Sequence, residues 1–164
     1  MKLARVGVIA AAVLAVATLA WAQKPDFSGT WTLDPAASDQ PAAGGGGGGG
    51  GRGGGRGGIL GMGPATVKQS ATELVVESTM GDNKVTRTYK LDGSESKNSV
   101  MGRGGQPMES VSTAKFDGAK LVIVSKQQMG DQAVETTEAW TVSGSTLTVE
   151  STNARGTQKR VYKK

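Results

Sequence analysis

The sequence predicts an all-β domain, an antiparallel up-and-down β-barrel of about eight to ten strands. Three observations carry that expectation. After residue 63 the chain is dense in Thr, Val and Ser, with apolar and polar positions alternating every two residues, the period of a half-buried strand. Turn pairs interrupt the alternation at short intervals: Gly81-Asp82, Asp92-Gly93, Asp117-Gly118, Gly130-Asp131 and Ser143-Gly144. No segment after residue 23 sustains a 3.6-residue apolar period, and the stretch from Asp34 to Gln40 offers at most one helical turn.

Taken in order, the expected strands run over residues 27–33, 65–70, 73–79, 84–91, 96–101, 109–116, 119–128, 132–142, 146–153 and 157–163. The first places Phe27, Trp31 and Leu33 on one face. The fourth places Val85, Arg87, Tyr89 and Leu91 on one face and Thr86, Thr88 and Lys90 on the other. In the seventh and ninth, Leu121 with Ile123, Val122 with Val124, and Leu147 with Val149 read as ordinary core. In the eighth, Trp140 shares its face with Val134, Thr136, Glu138 and Val142, a mixture suited to a polar cavity or a rim. Turns of a few residues between consecutive strands favour a meander, and a meander this long closes on itself or leaves exposed edges.

Residues 1–22 carry the marks of a removable signal peptide: Lys2 and Arg5, an apolar run from Val6 to Leu19, and Ala20-Trp21-Ala22 ahead of Gln23. The run is shorter than the roughly 20 residues a membrane span needs, no second one follows, and there is no Cys to carry a lipid. An extracytoplasmic destination, periplasm or medium, and no membrane span after cleavage are the expectations. Removal of these 22 of 164 residues leaves 142, residues 23–164, a length for a single domain. It also takes 19 basic residues to 17 against 14 acidic ones, a net charge of +3 scattered through the strands. That balance gives no field for nucleic acid.

The chain has neither Cys nor His. These absences take away disulfide staples, the thiol nucleophile, the commonest general base and the commonest transition-metal ligand. The remaining acids and bases form no recognisable catalytic motif, and alternation sets Glu135 and Glu138 on opposite faces, against a shared acid/base role. No catalytic residue, metal site or cofactor is expected.

Residues 41–63 are dominated by glycine, with an unbroken run from Gly44 to Gly51, then Arg52 and Arg56 among further glycines, then Ile59-Leu60-Gly61-Met62-Gly63. Glycine has no side chain to bury and loses the most backbone entropy on ordering, so the stretch is expected to be a disordered, flexible loop after the first strand. Two arginines without an aromatic partner do not make an RNA-binding tract. No strand-to-helix context or Gly-Lys-Ser/Thr ending marks a phosphate loop.

Near the start of the expected domain stands Asp26-Phe27-Ser28-Gly29-Thr30-Trp31-Thr32-Leu33-Asp34, and a basic strand, Lys159-Arg160-Val161-Tyr162-Lys163, closes it. Gly29-x-Trp31 on a first strand resembles the hallmark of the lipocalin and calycin barrels. With Glu138-Ala139-Trp140-Thr141 it extends to a resemblance to uncharacterised secreted lipocalin-like proteins of bacteria. The resemblance implies a lipocalin-like barrel whose Trp31 closes one end beneath an Arg from the last strand, Arg160 or, failing that, Arg155. It departs in the glycine-rich insert, where relatives carry a helical lid or a structured loop.

Two readings of function stay open. In one, the barrel binds a small apolar or amphipathic ligand in its interior, with Arg87, Tyr89 and Trp140 as the ligand-binding residues; an inward guanidinium beside a phenol would fork a carboxylate or phosphate head group. In the other, Arg87 sits at a strand end or pairs with an acidic neighbour, and the domain is a non-catalytic structural or protein-interaction module with a filled core. Small barrels of both kinds exist. The sequence assigns no oligomeric state.

Overall fold

The structure, a computed structural model, describes residues 24–39, 58–80, 83–101, 106–129 and 132–164. The expected signal peptide and residues 41–57 of the glycine-rich stretch lie outside the described residues. Ten strands follow one another: β1 (Gly29–Leu33), β2 (Ala65–Gln69), β3 (Glu73–Met80), β4 (Asn83–Lys90), β5 (Asp92–Met101), β6 (Pro107–Asp117), β7 (Lys120–Met129), β8 (Gln132–Ser143), β9 (Thr146–Asn153) and β10 (Gly156–Lys163). The architecture is the all-β, antiparallel barrel that the alternation predicts.

The sheet order is β4-β3-β2-β1-β10-β9-β8-β7-β6-β5. Nearly every pairing is between consecutive strands; the exception, β1 with β10, joins Thr32 to Lys163 and Leu33 to Tyr162 and curls the meander into a barrel. Past that short ladder the chain keeps to the β10 edge. Asp39 donates its N–H to the Lys159 carbonyl at 2.9 Å. Lys159 returns one to Asp39 Oδ2 at 2.7 Å, and Val161 donates to Ser38 Oγ at 2.9 Å. These groups satisfy an edge that β1 is too short to cover.

The two ends of the sheet order, β4 and β5, meet at a seam that side chains hold. Asn98 of β5 accepts the Thr88 N–H at 2.8 Å through Oδ1 and donates Nδ2 to the Thr88 carbonyl at 3.0 Å. Its carboxamide thus stands in for a peptide unit of the missing rung. One step along, Lys90 donates its N–H to Ser96 Oγ at 2.9 Å.

Strand alternation sends one face of every strand inward. Phe27, Trp31, Leu74, Val76, Tyr89, Leu121, Ile123, Trp140 and Leu147 are fully or almost fully buried in one continuous core. Phe27 packs edge-on to Trp140 with ring centroids 6.0 Å apart, and stacks on Phe116 at 6.4 Å. The interior also takes in hydroxyls, with Ser78, Ser96, Ser110, Ser112, Ser125 and Ser151 all buried. Ser112 and Ser125 bond each other across β6 and β7 at 2.9 Å. One end of the barrel interior is therefore apolar and aromatic, and the rest is polar.

Trp31 has no exposed surface. Replacing it by Ala is expected to remove about 3–5 kcal/mol of unfolding free energy. Asn98→Ala would strand the Thr88 N–H and carbonyl at the seam and is expected to cost about 1–3 kcal/mol. Chemical denaturation of the two variants measures both, and amide exchange at Thr88 should accelerate only in the second.

Candidate functional site

Five inward side chains converge on the centre of the barrel: Arg87 from β4, Glu138 and Trp140 from β8, and Arg160 and Tyr162 from β10. Two-residue spacing keeps Glu138 on the face of Trp140, and Arg160 on that of Tyr162. Register brings the strands into line, with Trp140 opposite Val149 on β9 and Val149 opposite Arg160 on β10. Of the residues expected to bind a ligand, Arg87, Tyr89 and Trp140 all face the interior, and all three are buried.

What they surround is the protein's own chain. Ile59 and Leu60, at the end of the glycine-rich stretch, enter the barrel and join the core at 8% and 1% exposure. The end of that stretch therefore departs from the expected flexible loop: its only adjacent pair of large apolar residues supplies what the glycines lack, surface worth burying. Ile59 donates its N–H to Glu138 Oε1 at 2.9 Å, and its carbonyl accepts from Arg87 Nη1 at 2.6 Å. Tyr162 donates its hydroxyl to the Gly61 carbonyl at 3.0 Å. A turn that would otherwise bring unpaired backbone groups into the core has three of them answered by side chains.

Glu138 is the pivot of this arrangement. Its Oε2 accepts from Trp140 Nε1 at 2.9 Å while Oε1 holds the Ile59 amide. Burial pushes its carboxyl above the usual range, opposed by the two donated hydrogen bonds and by the charges of Arg160 and Arg87. Burial also raises the phenols of Tyr89 and Tyr162 above the ordinary tyrosine range. Glu135, by contrast, lies outside the barrel beside Lys126 at 3.5 Å, so the two carboxylates are kept apart as alternation predicts.

Gly58 shows how tightly the turn fits. Its φ is +61°, and a Cβ there would stand 2.8 Å from Glu138 Oε1 and 2.9 Å from Arg160 Nη1. Arg160 is thus drawn to the Glu138 side of the interior, and its Nη2 donates to Gln158 Oε1 at 3.1 Å. The cation over Trp31 is Lys164, whose Nζ lies 4.8 Å from the ring centroid. The indole N–H of Trp31 is spent locally on the Phe27 carbonyl at 2.8 Å. That cation belongs to the residue just past β10, the strand from which the resemblance drew Arg160. Gly29 is what admits it: φ is +140°, and a Cβ would come within 2.5 Å of Lys164 Cε.

Glu138, Tyr162, Ile59 and Leu60 were not marked by sequence reasoning as members of a site. The signal for Glu138 was its place two residues before Trp140 on one strand face. The signal for the turn was an apolar doublet inside a glycine tract. Among the described residues no group of three or more acidic side chains is placed to hold a metal ion.

No protein-family model matches this chain, and no curated protein sequence does. Solved structures similar to it include a REP1-NXSQ fatty acid transporter, with 14% identity, a TM-score of 0.47, and coverage of 62% of this chain and 68% of that one. Fatty-acid-binding protein 1 of Echinococcus granulosus shows 18% identity and a TM-score of 0.47, covering 62% and 70%. Secretory abundant heat soluble protein 4 of Ramazzottius varieornatus shows 21% identity and a TM-score of 0.47, covering 62% and 67%.

A buried carboxyl that holds its proton more tightly in the fold than in the unfolded chain contributes stability below the unfolded value of 4.5 and loses it as pH rises through the folded value. Glu138→Gln is therefore expected to flatten the decline of stability above about pH 4.5. Urea denaturation of both proteins across the acidic to neutral range measures the difference in slope.

Proposed function

We propose that this chain is an extracytoplasmic barrel that binds a small, partly apolar molecule in its interior without catalysis. The observation that carries the reading is the concentration of Arg87, Glu138, Arg160 and Tyr162 inside the barrel, beside an apolar end built from Phe27, Trp31, Leu74 and Leu121. A guanidinium and a carboxylate buried in a core, as Arg87 and Glu138 are, lower its stability unless something partners them. Arg87 and Glu138 Oε1 both meet Ile59 and Tyr162 meets Gly61, groups that belong to no strand. Arg87, Tyr89 and Trp140 are the wall residues that would touch a ligand, Arg87 at its polar end. The extracytoplasmic destination rests on Lys2, Arg5, the apolar run and Ala20-Trp21-Ala22.

A second reading has its own observation. Ile59 and Leu60 are buried among the same residues, as in a structural domain whose core is simply filled. The two readings separate on one measurement, native mass spectrometry of the mature protein purified from its own host, with thermal shift across a panel of lipids and small molecules. A binding barrel carries a reproducible small adduct or responds to a member of the panel, and Arg87→Ala weakens that ligand about tenfold, the loss of one charge-assisted hydrogen bond. A clean mass and a flat panel select the filled core.

A further inference from the structure

The polar contacts at the barrel centre specify more than a polar group. Glu138 accepts the N–H of Ile59 and Arg87 donates to the C=O of the same residue. These two backbone groups flank one α-carbon and belong to different peptide units, so the site reads an N–H, a branched apolar substituent and a C=O in sequence. That is the chemistry of an amino-acid residue acylated on one side and amidated on the other. The next residue, Leu60, has its side chain buried, and the Gly61 carbonyl one step further meets Tyr162. A simple carboxylate would satisfy Arg87, but it has no N–H to give Glu138.

The residues so recognised are not part of the barrel wall. They form a turn outside the ten-strand order and are fixed to β4, β8 and β10 by side chains. A tethered occupant has the advantage of an effective concentration on the order of millimolar, with no contact better than a free ligand could make.

We infer that the barrel centre is a recognition site for an apolar amino-acid residue in amide linkage, occupied in this structure by the chain's own Ile59-Leu60, and that a short apolar peptide or an N-acyl amino-acid amide is the ligand that exchanges with it. The inference rests on the binding reading above and names its ligand class. It follows that ligand affinity in the intact chain is lowered by the fraction of time the turn is seated, and that weakening the turn strengthens binding.

The test uses the whole mature chain and two variants that leave the wall untouched: Ile59→Gly with Leu60→Gly, and Gly58→Ala, which forces the turn from Glu138 and Arg160. Circular dichroism confirms the fold of each. Calorimetric titration then compares acetyl-Ile-Leu-amide, N-decanoyl-isoleucinamide and decanoate. The expected result is that at least one variant binds an amide probe about tenfold or more tightly than the parent chain, and more tightly than decanoate. Whichever amide probe binds better tells a peptide source from an acyl one. Equal affinity in parent and variants would overturn the exchange. Binding of decanoate as tightly as the amides would overturn residue recognition and leave the binding barrel standing. Folded variants that bind none of the three would remove both.

Discussion

A carboxyl group enclosed in protein has to be given donors where it stands, and at the centre of this barrel Glu138 takes an indole N–H and a backbone amide. Trp140 supplies the first from the same strand face; the second comes from Ile59, more than seventy residues away in sequence. That one bond obliges the chain after the glycine-rich stretch to enter the barrel. Once it has entered, the Ile59 carbonyl needs a donor and takes Arg87, the Gly61 carbonyl takes Tyr162, and a side chain at position 58, where φ is +61°, would press on the ends of Glu138 and Arg160. Each contact is the answer to a group that the previous contact brought inside, which is how a buried polar network becomes fully satisfied or fails as a unit.

The opposite end of the barrel obeys a simpler rule. Trp31 fills the floor, its indole N–H is satisfied within its own segment, and its ring face is left for a cation. A lysine reaches that face only by laying its methylene stem across the strand, and the strand gives way at Gly29. The Gly-x-Trp spacing is thereby explained on physical grounds in this chain: the glycine is where the stem crosses and the tryptophan, two residues on and on the same face, is where the charge arrives.

The fold was legible because alternation and turn chemistry act locally, and each strand announces both. The interior placement of Arg87, Tyr89 and Trp140 follows from the same period. Glu138 was visible as a neighbour of Trp140, but a single strand does not reveal whether its mixed face lines a rim or a centre; that depends on the register of β8 against β7 and β9. Ile59 and Leu60 were hidden by composition, since a glycine content that high dominates any averaged property of the window. Lys164 lay one residue beyond the alternating pattern of β10, where the period that marks a strand no longer speaks. Asn98 looked like an ordinary strand residue. Its role at the seam exists only because β4 and β5 part there.

The short ladder between β1 and β10 has a kinetic meaning. Nearly every other pairing joins neighbours in the chain and can form as a hairpin, whereas Leu33 and Tyr162 meet across most of the domain. Bringing such distant residues together carries the largest loop-closure entropy in the molecule, and long-range contacts of this kind set the pace of folding in β proteins. The nine-strand meander can therefore assemble piecewise from either end, while β1 must wait for both β2 and β10 to present their edges. Only then does an open, curling sheet become a vessel with an inside.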